Sequence, residues 1–211
     1  KGYAADNGTA QFHPLYPAVA RILTFVGIPA LISLSVVSFV CSVSLIIVVY
    51  RWARLDRGPK SAWLTSFLYI MSPFSAFVLF LPYSEPLFLL MASLCFYFVR
   101  RKLWWQAGLV GALATLTRQQ GLLLAPSIIL AVAQSEEWNV RGFLKSWRDW
   151  MPSLLIPLAY GGWVTYRALA LQDLAPNFSS VSEFIYSVLI SPSAAQVVPM
   201  QSFVWPWQAL G

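Results

Sequence analysis

The chain is short of charge: Asp, Glu, Lys and Arg together make up 10% of its 211 residues. A soluble domain carries about 25%. With 58% hydrophobic residues, no soluble core could absorb the apolar side chains and still leave a polar surface. Cysteine is nearly absent. Cys41 and Cys95 both fall inside apolar runs, which suits buried thiols rather than a disulfide framework or a metal-ligand cluster. Histidine occurs once, at position 13. No Walker loop, GxGxxG or Asp-x-Asp pair is present, so the common phosphate- and dinucleotide-binding signatures are missing. The net charge of +6 does not read as a nucleic-acid surface, because the bases cluster beside apolar runs. That is the pattern of cytoplasmic loops. The chain starts at Lys1 rather than Met, has no visible signal peptide and stops at Gly211. Both ends are expected to be cuts from a longer protein.

What remains is apolar sequence in runs. A membrane pass takes roughly 20 apolar residues, so a chain of this length has room for about six. The expected fold is all-α: a multi-pass transmembrane helical bundle of about six membrane helices, two of them half-length. It is expected to form a single integral membrane domain over 1–211. Residues 1–29 supply an external loop and an interfacial helix, 30–171 the membrane helices and 172–211 an external tail.

The runs fix the expected topology. Leu15, Val19, Ile22, Leu23 and Val26 repeat at helical spacing and predict a short helix lying at the interface. Ala30–Tyr50 is uncharged, long enough to span, and ends at Arg51, Arg54, Arg57 and Lys60. A second run, Ser61–Leu81, is interrupted by Pro73, which kinks or breaks a helix. A third, Leu87–Val99, stops at Arg100-Arg101-Lys102. Two basic clusters flanking two apolar runs predict a hairpin with both ends inside and Tyr83–Pro86 at its outer tip.

Trp104–Ala133 could make one long pass or two short ones. Residues 134–150 carry Arg141, Lys145 and Arg148, whereas 168–211 carry no Lys or Arg. Orientation follows Lys and Arg, and only two half-helices put the first stretch inside and the second outside. The predicted halves are Trp104–Thr117 and Gly121–Ala133, meeting at an outward-facing turn. Each covers only ~20 Å, so the turn lies below the membrane surface, in protein or beside a water-filled cavity. Val140, Phe143, Leu144 and Trp147 fall opposite Arg141, Lys145 and Arg148, predicting a cytoplasmic surface helix. A final pass runs from Pro152 to about Leu171.

On this topology four bases lie away from the cytoplasmic loops: Lys1, Arg21, Arg118 and Arg167. Arg118 is set at a turn within the apolar zone, where an arginine costs ~2.5–3.5 kcal/mol even on a lenient insertion scale. It is either an ion-pair partner pinning two helices or an anion site, since guanidinium binds phosphate in a fork. Glu85 is the matching acid. In Tyr83-Ser84-Glu85-Pro86 the serine can cap a helix, the proline suits its first turn and the carboxylate favours its dipole. His13 is either structural or part of the same site. Asp6 reads as a solvated loop residue. Tyr16, Tyr83, Trp205 and Trp207 are expected as interface anchors.

Three stretches in order, His13-Pro14-Leu15-Tyr16-Pro17, Pro82-Tyr83-Ser84-Glu85-Pro86-Leu87-Phe88 and Ala114-Thr115-Leu116-Thr117-Arg118-Gln119-Gln120-Gly121, resemble the PIG-V type of mannosyltransferase. That family includes the second mannosyltransferase of GPI-anchor assembly and many bacterial relatives. The resemblance covers roughly residues 1–135. It implies the membrane glycosyltransferase fold called GT-C. It also implies mannose transfer from a polyprenyl- or dolichyl-phosphate carrier to a glycan, lipid or protein acceptor, with no metal or other cofactor. The implied location is a bacterial plasma membrane, or the endoplasmic reticulum if the source is eukaryotic. The expected substrate-binding residues are His13, Tyr83, Ser84, Glu85, Arg118 and Gln119. Family members carry their acid, usually after Trp, in a first external loop that precedes Gly2-Tyr3, so the main catalytic acid is expected upstream of Lys1.

The alternative from another class is a multi-pass transporter of a small anionic or sugar solute, since broken helices and buried charges also line transport sites. No internal repeat is visible, and the polar groups favour one membrane face over the midplane. A purely structural membrane subunit is the weaker third reading.

Overall fold

Every regular element among the described residues is helical. The computed structural model describes residues 13–72 and 82–170, with side chains up to Arg167 in the last helix. The expected break at Pro73 and the tail 172–211 lie outside the described residues. The chain divides into two units, one of His13–Val164 and one of Lys1–Phe12 with Thr165–Gly211. Of the second, only the end of a helix is described.

The helices are α1 (Leu15–Thr24), α2 (Ala30–Met71), α3 (Glu85–Arg100), α4 (Trp104–Thr117), a 3-10 turn Gln119–Leu123, α5 (Leu124–Ser135), α6 (Val140–Lys145), α7 (Trp147–Trp150), a 3-10 turn Met151–Leu154 and α8 (Leu155–Ala170). Among the described residues α2 alone is long and apolar enough to cross a membrane. At 16, 14, 12 and 16 residues, α3, α4, α5 and α8 are shorter than the roughly 20 residues of a full pass.

Helix α2 is not one straight rod. Gly58 sits at φ 81°, ψ 177°, a conformation open only to glycine, and Pro59 restarts the helix after it, as proline readily does. In an unbroken helix positions 50 and 63 would be about 20 Å apart. The rings of Tyr50 and Trp63 instead meet edge to face with centroids 5.6 Å apart, so the two segments turn sharply toward each other. The first segment therefore runs on helically past the expected end at Tyr50, as far as Arg57.

Two contacts set the direction of α3. Ser38 Oγ donates to the Tyr83 carbonyl at 3.1 Å, and Arg100 reaches Asp56 Oδ1 through Nε at 2.8 Å and Nη2 at 2.6 Å. These pairs come in the same order along the two helices, so the first segment of α2 and α3 run parallel. The Arg100–Asp56 pair also joins the two basic clusters at one end of the bundle. Helix α4 returns to the other end, where Arg118 meets Glu85. Helix α8 runs alongside α4 in the same direction, Pro152 lying on Gly108 and Ile156 on Gly111.

The core has two parts. Tyr16, Ala20, Val37, Cys41, Leu45, Leu87 and Leu90 join α1, α2 and α3. Cys95, Ala107, Ala114, Leu124, Ile128, Val132 and Ile156 join α3, α4, α5 and α8. Outside this core, Leu31, Val36, Phe39, Val40, Val43 and Ile47 leave an apolar stripe exposed along α2.

The helix expected from Leu15 forms over Leu15–Thr24 and packs Tyr16 and Ala20 on α2, leaving Ile22 exposed. Two expectations are corrected. The second half-helix begins at Leu124, after the 3-10 turn, not at Gly121. The stretch 140–150 is two short helices broken at Ser146.

Candidate functional site

The reversal between α4 and α5 positions Arg118. Its backbone is extended (φ −154°, ψ 144°), yet both its polar groups are bonded. Arg118 N donates to the Ala114 carbonyl at 2.9 Å, and its own carbonyl accepts from Gly121 N at 3.0 Å. Gly121 makes the turn this tight. A Cβ there would lie 2.4 Å from Thr115 N and 2.5 Å from Thr115 Cα, so only glycine lets the turn rest on the backbone of α4. With the turn pressed down, the guanidinium points to the start of α3.

There Arg118 Nη1 donates to Glu85 Oε1 in an ion pair. The two side chains are 33% and 32% exposed, so a ligand can reach both. The other guanidinium N–H groups have no hydrogen-bond acceptor among the described residues. The second oxygen, Glu85 Oε2, is buried and has no hydrogen-bond donor among the described residues. A buried carboxylate oxygen without a donor is costly. The pair thus offers unused donors on the cation and an unused acceptor on the acid.

The start of α3 is held from α2. Ser33, Ser35, Ser38 and Ser42 lie on the early part of α2. Ser33, Ser35 and Ser42 bond back to the carbonyls of Pro29, Leu31 and Ser38. Ser38 bonds across to the Tyr83 carbonyl and pairs with the Tyr16 hydroxyl at 2.8 Å. The Tyr16 hydroxyl has one proton, for which the Leu34 carbonyl at 3.1 Å is the alternative acceptor. Burial pushes the Tyr16 phenol above its ordinary value of 10.0. The Ser38 bond opposes this, and the nearby Glu85 charge adds to it. Ser38 lies about two turns, or ~12 Å, along α2. The start of α3 is therefore set well below the beginning of α2.

The structure brings Glu85 and Arg118 into direct contact. Tyr83 contributes its carbonyl through Ser38 and leaves its ring exposed. His13 stacks on Tyr160, with centroids 6.4 Å apart and planes at 23°. Tyr160 follows Ile156 along α8 toward the Arg118 end of the bundle. Gln119 opens the 3-10 turn and is half-buried. Ser84 does not cap α3 with its side chain. Its backbone is already helical (φ −74°, ψ −13°), whereas a capping side chain needs an extended backbone. Glu85 still stands in the first turn, with Pro86 beside it. Ser38 and Tyr160 were not picked out by sequence, although Ser38 stands in a spaced serine series along an apolar run. Among the described residues no three of His, Cys, Asp and Glu form a group that could hold a metal ion.

Comparison of the chain with family models, with curated proteins and with solved structures gives no match.

Proposed function

We propose that this chain belongs to a multi-pass membrane glycosyltransferase of GT-C-like architecture. On this reading it moves mannose from a polyprenyl- or dolichyl-phosphate carrier to an acceptor on the extracytoplasmic or luminal face. The supporting observation is the Glu85–Arg118 pair, set at the bundle end opposite the basic clusters. If basic loops stay inside, this pair faces outward. Arg118 takes the carrier phosphate and stabilises it as it leaves, because guanidinium holds the oxygens in a fork. Glu85 is a substrate-binding acid whose free oxygen accepts a substrate hydroxyl, while the main acid is supplied from elsewhere in the protein. The carrier tail stays in lipid against apolar faces such as that of α2. His13, Tyr83, Ser84 and Gln119 complete the binding surface, and no cofactor is invoked. The membrane is the bacterial plasma membrane, or the endoplasmic reticulum in a eukaryote.

Transfer of radiolabelled mannose from polyprenyl-phosphate mannose, set beside solute uptake into vesicles, tests this against transport. In the full-length protein Arg118→Lys loses transfer along with Arg118→Ala, since a point charge cannot reproduce the fork. Glu85→Gln lowers transfer by about tenfold or more. Folded protein remains in the membrane in each case. Uptake without transfer would overturn the enzyme reading. Parallel loss of protein and activity in Arg118→Ala would reduce the pair to a helix pin.

A further inference from the structure

At the basic end the acids and bases are treated differently. Asp56 is engaged by Arg100. Glu136 accepts from Ser146 Oγ at 2.9 Å and is tucked beneath Gly142. Both carboxylates are thus held by partners within the fold. Lys102, Arg141 and Lys145 are exposed and have no ion-pair partner among the described residues. Arg101 lies over the Tyr97 ring and Arg148 over the Trp147 ring, leaving both charges outside. Glu137 is the one exposed acid in the stretch 134–150.

Apolar side chains share this surface. Phe143 stacks on Trp150 (5.9 Å, 16°) and packs against the core, so α6 has a satisfied inner face. Yet Val140, Leu144, Trp147 and Trp138 all remain exposed, Trp138 by 65%. Along α6, Val140 and Leu144 form one stripe and Arg141 and Lys145 the adjacent one, each pair four residues apart on one helix face. Trp138 follows Glu137 in a turn where both have positive φ (61° and 52°), a conformation uncommon for non-glycine residues.

Water suits the cations and not the tryptophans, while a protein core suits the reverse. Both are satisfied where phosphate headgroups meet acyl chains. We propose that α6, α7 and the Arg101–Lys102 turn form a docking surface for anionic phospholipid, with headgroup phosphates on Lys102, Arg141 and Lys145. Trp138, Leu144 and Trp147 enter the upper acyl region. The excess of unpaired positive charge selects anionic over zwitterionic lipid. This surface is remote from the Glu85–Arg118 pair and stands whether or not that pair is catalytic.

The test uses the full chain in neutral detergent, mixed with equal amounts of phosphatidylglycerol and phosphatidylcholine of matched chains. Retained lipid is counted by native mass spectrometry. The wild type keeps phosphatidylglycerol preferentially, and the preference shrinks as NaCl rises between about 50 and 500 mM. Lys102→Gln/Arg141→Gln/Lys145→Gln lowers the preference at least about tenfold. Trp138→Ser/Leu144→Ser weakens retention of both lipids and leaves their ratio unchanged. Equal retention of the two lipids by the wild type, or an unchanged ratio in the triple variant, overturns the proposal. Should the triple variant not fold, the salt titration of the wild type decides alone, and a salt-independent ratio overturns it.

Discussion

The Glu85–Arg118 pair is an unconvincing stabilising device. With each side chain about a third exposed, such a pair contributes at most roughly 1 kcal/mol, while an arginine in the apolar zone costs ~2.5–3.5 kcal/mol. The balance favours a residue kept for what it binds. Tyr16 is a residue whose role is structural, and it gives a pH prediction. Its folded pKa is raised, chiefly by burial, above 10.0. The stability it contributes is therefore fully present below pH ~10 and is lost as pH rises through the higher folded value. Tyr16→Phe removes its bonds to Leu34 and Ser38 and is less stable at neutral pH by about 1 kcal/mol. The gap to wild type narrows above pH ~10, where the wild type alone has a buried phenol whose ionisation the fold opposes. Thermal unfolding of the two proteins at neutral and strongly alkaline pH checks this. A gap that stays constant would remove the phenol as the cause.

At the scale of elements, the broken helix α4–α5 governs the site. Gly121→Ala forces a Cβ against the Thr115 backbone and lifts the turn. It destabilises the protein by about 1–3 kcal/mol and, on the proposed function, also weakens carrier-phosphate binding, because Arg118 moves with the turn. Measured stability and binding should fall together, and a stable Gly121→Ala with unchanged binding contradicts this account of the turn. The break itself was legible in sequence. Arg118-Gln119-Gln120-Gly121 interrupts an apolar stretch, and the bases of 134–150 leave a single pass no consistent orientation. Helix α4 accordingly occupies the expected Trp104–Thr117. The bend in α2 was less legible, since Arg51–Lys60 reads as a loop, although helix continues to Arg57 and only Gly58 departs from it. Least legible was Ser38. A serine in an apolar run usually bonds back to its own helix, and its contacts with Tyr16 and Tyr83 reach 22 and 45 residues along the chain. No local pattern encodes partners that distant.

For the whole molecule, the prediction concerns sidedness. The tripeptides Asn7-Gly8-Thr9 and Asn177-Phe178-Ser179 lie outside the described residues and serve as reporters. Expressed in microsomes, the chain should accept glycans at both, with a short spacer where either lies too near the lipid. Protease cleaving 172–211 from the cytoplasmic side would end the two-half-helix topology, because a single pass over 104–133 would then be required. A match of the Glu85–Arg118 geometry to catalysis would not rescue it.

The shortness of α4 also bears on the surrounding solvent. A 14-residue helix is about 21 Å long, against a hydrocarbon layer of roughly 30 Å. A bilayer around such a helix thins, or admits water, on the side where Arg118 sits. The leaflet would then dip toward the guanidinium, bringing the phosphate of a long-tailed carrier down with it. On the proposed function the membrane itself becomes part of the binding site, and its acyl-chain length tunes the depth at which the carrier meets Arg118.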